Sequence, residues 1–179
     1  MSHDLAPRSL LVLGGARSGK SRYAQQRAEA SGKNPVLIAT AAAADAEMAE
    51  RIAKHQGARG PRWRVVEEEI DVAGALMREA AEDRIVLVDC LTLWLSNLMM
   101  NGKDVDLAGE MLARSLSSLP GPVILVSNEV GLGIVPENAL VRRFRDAQGW
   151  LNQGLAAHCE AVALIVAGLA LQLKPGTSG

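Results

Sequence analysis

A three-layer α/β fold, in which helices cover both faces of a mostly parallel sheet, is the architecture that the sequence predicts. Short aliphatic runs alternate with longer segments of helical pattern, and Gly, Pro and polar residues separate them. Because these runs are apolar at every position, both faces of each strand are expected to be buried, as in parallel sheets covered by helices. The chain has 179 residues, the size of one domain. We therefore expect a single domain over residues 1–179, with loose ends at 1–8 and 175–179.

Seven segments have the composition of strands. Each is a short aliphatic run bounded by residues that end or turn the chain. In chain order they are residues 10–13, 36–39, 65–66, 85–88, 123–126, 162–166 and 169–173. Ligands of a parallel sheet bind at the carboxyl ends of its strands. A functional site is therefore expected in the loops after Leu13, Ala39, Val88 and Val126.

Six longer segments have helical patterns or helix-boundary residues. Asp45 is placed to cap one of them, and Gly32, Gly57 and the pair Asn101-Gly102 are placed to end or separate others. In chain order the predicted helices are residues 20–30, 45–56, 71–82, 91–100, 107–119 and 138–158. A loop rich in Gly and Pro, residues 131–136, precedes the last helix.

Composition argues against several classes of protein. The net charge is −1 and only 3% of the residues are aromatic, which argues against nucleic acid as a partner. The longest apolar stretch, residues 161–171, is too short to span a bilayer, and the first residues do not have the pattern of a signal peptide. The two cysteines, Cys90 and Cys159, match neither a disulfide framework nor a zinc site, and buried thiols are expected. We therefore expect a cytoplasmic protein without membrane insertion.

The strongest functional signal is a phosphate-binding loop of the pattern G-x-x-x-x-G-K-[ST], which predicts a fold of the P-loop NTPase type. Its residues are Gly14, Gly15, Ala16, Arg17, Ser18, Gly19, Lys20 and Ser21. Glycines allow backbone N–H groups to surround phosphate oxygens, and the following helix directs its positive end at the same anion. Lys20 is expected to bind the β- and γ-phosphates, and the Ser21 hydroxyl to bind Mg²⁺. Arg17 either contacts phosphate or is a solvated loop residue.

Two acidic residues follow predicted strands. Asp89 comes directly after residues 85–88, where P-loop NTPases carry the second ligand of their magnesium site; the alternative is a helix cap. Glu129 comes shortly after residues 123–126 and could orient a nucleophile or a metal-bound water; the alternative is that it closes the loop. Both side chains are expected at the ligand-binding edge of the sheet.

His55 lies near the end of the predicted helix 45–56. Glu47, Arg51 and His55 follow one another at intervals of four residues and form a polar ridge on that helix. Spacing alone favours a surface histidine at this position, as it does for His3 and His158.

The chain lacks the N-K-x-D motif with which signalling GTPases recognise guanine, and it has no long insertion of the kind that motors carry. A small kinase or a nucleotidyltransferase fits its size better.

The motifs together resemble the bifunctional adenosylcobinamide kinase / adenosylcobinamide-phosphate guanylyltransferase family of cobalamin biosynthesis. The resemblance extends over residues 10–174. Besides the phosphate-binding loop, it rests on Ala39-Thr40, Asp45-x-Glu47-Met48-x-x-Arg51-Ile52-x-x-His55, Arg59, Trp63, Glu67, Asp89-Cys90-Leu91-Thr92-x-Trp94-Leu95-x-Asn97-Leu98, Asn128-Glu129-Val130-Gly131-x-Gly133-Ile134-Val135-Pro136-Glu137-Asn138 and Arg145-Asp146-x-x-Gly149-x-x-Asn152-Gln153-x-Leu155-Ala156.

The resemblance implies two reactions: phosphorylation of adenosylcobinamide by ATP or GTP, and transfer of GMP from GTP to the phosphate formed. It implies that His55 carries the GMP covalently, that Lys20 and Glu129 are also catalytic, and that Arg51, Glu67 and Asp89 bind nucleotide. It further implies Mg²⁺ as cofactor, bound by Ser21 and Asp89, and a homo-oligomer, with a trimer known in the family. Two alternatives stay open: a P-loop small-molecule kinase without guanylyl transfer, and a non-catalytic GTP-binding module.

Overall fold

The computed structural model describes residues 7–41 and 62–175. Seven strands form one sheet; in chain order they are β1 (Ser9–Gly14), β2 (Asn34–Ala39), β3 (Arg64–Glu67), β4 (Arg84–Asp89), β5 (Val123–Asn128), β6 (Ala161–Val166) and β7 (Leu169–Lys174). The described helices are α1 (Lys20–Ala30), α2 (Val72–Glu79), α3 (Leu91–Met100), α4 (Val105–Ser115) and α5 (Ala139–His158), with a 3-10 turn at Leu116–Ser118. The helix predicted over residues 45–56 lies outside the described residues.

The strand order of the sheet is β3-β2-β4-β5-β1-β6-β7. The strands pair in parallel except for β7, which pairs antiparallel with β6 at the edge. The prediction of a mostly parallel sheet is therefore confirmed. Strand β5 separates β1 from β4, with Gly14 paired to Asn128 and Val126 paired to Asp89. Three segments with polar residues thus end side by side at the carboxyl edge.

Two hydrophobic cores lie on opposite faces of the sheet and make the fold three-layered. On one face, Ala24 and Ala28 of α1 pack against side chains such as Val12 and Leu87. On the other face, helices α2 to α5 contribute to a larger core, in which the largest fully buried side chain is Trp94. Adjacent strand residues alternate between the two cores because successive side chains of a strand point to opposite faces. Among the described helices, none is long and apolar enough to cross a bilayer.

Helices α1 and α3 have the predicted bounds, whereas two other helix ends were predicted wrongly. Helix α2 stops at Glu79, because Ala80 is extended with ψ 130°. Helix α4 begins at Val105, since the Asp104 side chain accepts hydrogen bonds from the N–H groups of Asp106 and Leu107.

Strand β7 departs from the expectation that every strand is buried on both faces. Leu169, Leu171 and Leu173 are 75%, 58% and 47% exposed. An edge strand has a neighbour on one side only, so an apolar composition does not ensure that it is buried.

Candidate active site

The phosphate-binding loop connects β1 to α1 at the carboxyl edge of the sheet. Arg17 and Gly19 adopt positive φ angles of 57° and 98°. The N–H group of Gly168, in the turn between β6 and β7, donates to the Ser18 carbonyl at 2.8 Å and supports the loop from outside. The Ser18 hydroxyl oxygen is buried and has no hydrogen-bond partner among the described residues. A buried hydroxyl of this kind in a glycine-rich loop is suited to an anionic ligand.

Close packing at Gly14 leads to a prediction about stability. A Cβ atom at Gly14 would lie 2.4 Å from the Ser18 Oγ and 2.7 Å from the Ile165 carbonyl oxygen. We expect Gly14→Ala to lower the free energy of unfolding by about 1–3 kcal/mol, because the backbone of β6 must move. Urea denaturation measures this change.

Gly15→Ala is the matched control for stability, since a Cβ atom at Gly15 would meet nothing within 4 Å. Its free energy of unfolding should stay within about 0.5 kcal/mol of the parent value. Equal destabilisation by both substitutions would contradict the packing argument.

Lys20 is the cation of the site, and only 9% of it is exposed. Its Nζ donates a hydrogen bond to the Gly15 carbonyl at 3.1 Å. Burial lowers the pKa of Lys20, while the nearby Cys90 and Asp89 act to raise it. A buried ammonium is stabilised by an anionic partner. Helix α1 begins at the same place, and its cap residue Gly19 provides no side-chain acceptor, so the N-terminal N–H groups suit phosphate oxygens.

The two predicted magnesium ligands are neighbours in the structure. The Ser21 hydroxyl donates to Oδ1 of Asp89 at 3.4 Å. Helix α3, which follows Asp89, has Cys90 as its cap residue and no side-chain cap, so the helix-capping interpretation of Asp89 has no support. A hydroxyl and a carboxylate oxygen at this distance fit Mg²⁺, which prefers oxygen ligands and is usually bound by one or two protein groups together with substrate phosphates. Within residues 7–41 and 62–175, no cluster of three or more His, Cys, Asp or Glu side chains could hold a metal.

Glu129 follows the end of β5, between the loop and Asp89. Its backbone N–H donates to the Gly14 carbonyl at 3.1 Å. Its Oε1 accepts a hydrogen bond from the Gly131 N–H. This contact closes the loop, as the alternative interpretation of Glu129 expected, and at the same time fixes the carboxylate beside the phosphate-binding loop.

Other predicted site residues are not brought to this place. Glu67 is exposed at the end of β3, four strand positions from β1, which corresponds to about 19 Å across the sheet. Arg51 and His55 lie outside the described residues, as does His3. His158 is at the end of α5, where its Nδ1 lies 2.9 Å from the Gly154 carbonyl oxygen.

Polar residues next to the site also hold the strand ends together, although no motif assigned them this role. The Thr40 hydroxyl donates to the Cys90 carbonyl at 2.7 Å and accepts from the Cys90 N–H at 2.9 Å, which ties β2 to the end of β4. Asn97 of α3 donates to the Thr40 carbonyl at 2.8 Å. The Thr92 hydroxyl accepts from the Asn128 N–H at 2.9 Å. Their one signal in the sequence is a polar residue beside or within an otherwise apolar segment.

A glycine-rich loop between a strand and a helix, with a buried lysine and a Ser–Asp pair beside it, defines the fold as that of a P-loop NTPase. Solved structures of ATPases agree. An ATPase from the type III secretion system of pathogenic bacteria matches with a TM-score of 0.53 at 9% identity, over 92% of this chain and 56% of that chain. A separate ATPase domain matches with a TM-score of 0.52 at 12% identity, over 89% and 70%. At these identities the likeness shows the fold alone.

The particular family follows from sequence comparison. The model of the cobinamide kinase / cobinamide phosphate guanyltransferase family matches residues 10–173, and the chain belongs to this family. The bifunctional adenosylcobalamin biosynthesis protein CobP of Pseudomonas aeruginosa is 51% identical, over 92% of this chain and 96% of that protein. The bifunctional adenosylcobalamin biosynthesis protein CobU of Salmonella typhimurium is 37% identical, over 92% and 99%.

Proposed function

We propose that the chain phosphorylates adenosylcobinamide with ATP or GTP and then transfers GMP from GTP to adenosylcobinamide phosphate. Family membership supports both activities. The observation that carries the kinase assignment is the buried Lys20 ammonium inside the glycine-rich loop, next to the Ser21–Asp89 pair. Phosphoryl transfer depends on positioning and charge neutralisation, which these groups are suited to provide.

In the kinase step, the substrate hydroxyl oxygen forms a bond to the γ-phosphorus, and the bond to the bridging β–γ oxygen breaks. Lys20 neutralises charge on the β- and γ-phosphates, while the loop N–H groups hold their oxygens. Glu129 orients the attacking hydroxyl and takes its proton; its fixed place at the end of β5, next to Gly14, supports this role. The nucleoside diphosphate leaves.

Ser21 and Asp89 would hold Mg²⁺ in this site. When bound, Mg²⁺ supplies charge neutralisation at the phosphate oxygens. The distance of 3.4 Å between the Ser21 hydroxyl and the Asp89 carboxylate supports this assignment.

We expect Asp89→Asn to raise the Mg²⁺ concentration for half-maximal kinase activity at least about tenfold, or about 1.4 kcal/mol of binding free energy. An amide is a weaker ligand than a carboxylate, whereas nucleotide affinity measured without Mg²⁺ should change little. Asp83→Asn, an exposed position before the other end of β4, is the matched control. Equal Mg²⁺ dependence of Asp89→Asn and the parent chain would argue against this metal site.

In the guanylyltransferase step, an imidazole nitrogen of His55 forms a bond to the α-phosphorus of GTP, and pyrophosphate leaves. A phosphate oxygen of adenosylcobinamide phosphate then attacks the same phosphorus, and the bond to His55 breaks. A covalent intermediate divides a transfer between two anions into two separate displacements. The proposal for His55, and that for Arg51 as a nucleotide contact, rests on the motif match, since both lie outside the described residues. Glu67 is proposed as a nucleotide contact on the same basis.

A homo-oligomer is part of the proposal. The exposed leucines of β7 support it, because an apolar edge strand is a surface that proteins usually cover.

The proposed function is tested by incubating the chain with adenosylcobinamide, Mg²⁺ and GTP labelled at either the α- or the γ-phosphorus. The γ label should enter adenosylcobinamide phosphate, and the α label should enter adenosylcobinamide-GDP. A γ-labelled product without any α-labelled one would indicate a kinase that lacks guanylyl transfer. Nucleotide binding without either product would indicate a non-catalytic binding module.

A further inference from the structure

One face of α5 carries three polar residues that all contact the segment containing Glu129. Arg145, Gln148 and Asn152 are three and four residues apart, so they lie on the same side of the helix. We refer to these three residues as the α5 stripe. The segment they contact is residues 127–131, which joins the end of β5 to the following loop.

The buried end of the stripe binds the end of β5 directly. Asn152 Nδ2 donates to the Asn128 carbonyl at 3.1 Å, and the Ser127 hydroxyl donates to Asn152 Oδ1 at 2.7 Å. Gln148 Nε2 donates to the Ser127 Oγ at 3.0 Å and to Asn152 Oδ1 at 3.1 Å. Side chain and backbone of the strand end are thus both held.

The outer end of the stripe binds the loop beyond Glu129. Arg145 Nη2 donates to the Gly131 carbonyl at 2.7 Å. The N–H of Gly131 in turn donates to the Glu129 carboxylate. The stripe therefore holds the backbone on both sides of Glu129, while the Glu129 N–H is tied to Gly14 of the phosphate-binding loop.

Burial indicates that this network is kept for geometry rather than for stability. Ser127 and Gln148 are fully buried and Asn152 is 7% exposed. The Oε1 atom of Gln148 has no hydrogen-bond partner among the described residues. A buried acceptor without a partner costs folding free energy, and an apolar side chain of similar size would avoid that cost.

We propose that Gln148, Asn152 and Arg145 are positioning residues of the kinase reaction, which hold the Glu129 carboxylate against the phosphate-binding loop. The inference rests on the proposed function, in which Glu129 orients the attacking hydroxyl. A group that directs a nucleophile needs its position fixed to about half an ångström, and that accuracy depends on supporting hydrogen bonds. The α5 stripe provides such bonds from a rigid helix.

The test compares Gln148→Leu with the parent chain in the kinase assay with adenosylcobinamide and Mg²⁺-ATP. We expect kcat to fall at least about tenfold, KM for ATP to stay within about twofold, and the thermal midpoint not to fall. Gln153→Leu makes the same chemical change at an exposed position of α5 and should leave all three quantities unchanged. Arg145→Met should also lower kcat, and Arg145→Lys should restore part of it, because lysine can still donate to the Gly131 carbonyl.

A double-mutant cycle distinguishes positioning from a general structural role. In a Glu129→Gln background, Gln148→Leu should cost little further kcat, because it acts through the carboxylate that is already lost. An active parent chain whose kcat is unaffected by Gln148→Leu would overturn the inference alone. So would a full tenfold loss repeated in the Glu129→Gln background. A parent chain without kinase activity would overturn the proposed function, and the inference with it.

Discussion

Lys20→Ala should lower kinase kcat at least about a hundredfold, the effect expected when a preorganised charge-stabilising group is removed from a transition state. Lys20 is 9% exposed and lies inside the loop that contacts phosphate, so solvent cannot replace its charge. GMP transfer should fall as well, because the same loop holds the phosphates of GTP. Steady-state kinetics with ATP and GTP measure both losses.

Lys103→Ala removes an exposed lysine beyond α3 and serves as the control, with kcat expected to remain at the parent value. Circular dichroism establishes that Lys20→Ala is folded. Kinase activity of folded Lys20→Ala within about tenfold of the parent, a barrier change below about 1.4 kcal/mol, would refute the assignment of the phosphate-binding loop.

The second large effect is expected for His55→Ala. The parent chain should retain the α label of GTP in the absence of corrinoid, whereas His55→Ala should retain none and should lose GMP transfer. Kinase turnover should stay close to the parent value, because phosphoryl transfer to a hydroxyl needs no covalent intermediate. Denaturing electrophoresis with α-labelled GTP measures the label.

The chemistry of the bond gives two further checks on the histidine. A phosphoramidate is labile in acid and stable in alkali, unlike a serine or threonine ester. Label formation should decrease below about pH 6, because an imidazole with an ordinary pKa of about 6.5 loses its free electron pair on protonation. His158→Ala, at the end of α5, is the matched control and should keep the label. Acid-labile label on His55→Ala would place the nucleophile elsewhere, and acid-stable label on the parent chain would exclude histidine.

Local patterns in the sequence predicted the elements that carry the phosphate site. The apolar run before Gly14 and the helix from Lys20 were predicted because the loop motif requires both a strand and a helix next to it. The proximity of Ser21 to Asp89 was also expected, since both follow strands of one parallel sheet. The end of α2 at Glu79 was not, because the turn that stops it depends on contacts beyond the helix itself.

Contacts between distant parts of the chain could not be predicted in the same way. The position of β5 between β1 and β4 is a matter of strand order, which local hydrophobicity does not specify. The bonds from Gln148 and Asn152 to Ser127 join residues more than twenty positions apart, and polar residues in a helix ordinarily indicate a solvated face. The role of His55, the single domain and the cytoplasmic location stay predictions.

A crystal structure of the chain with Mg²⁺ and a non-hydrolysable ATP analogue tests the central claim most directly. The account predicts the phosphates against the backbone N–H groups of the loop between β1 and α1. It also predicts the Lys20 ammonium on the β- and γ-phosphates instead of the Gly15 carbonyl, and Mg²⁺ on Ser21 with Asp89 beside it. Phosphates bound away from this loop, or Mg²⁺ held by other side chains, would contradict it.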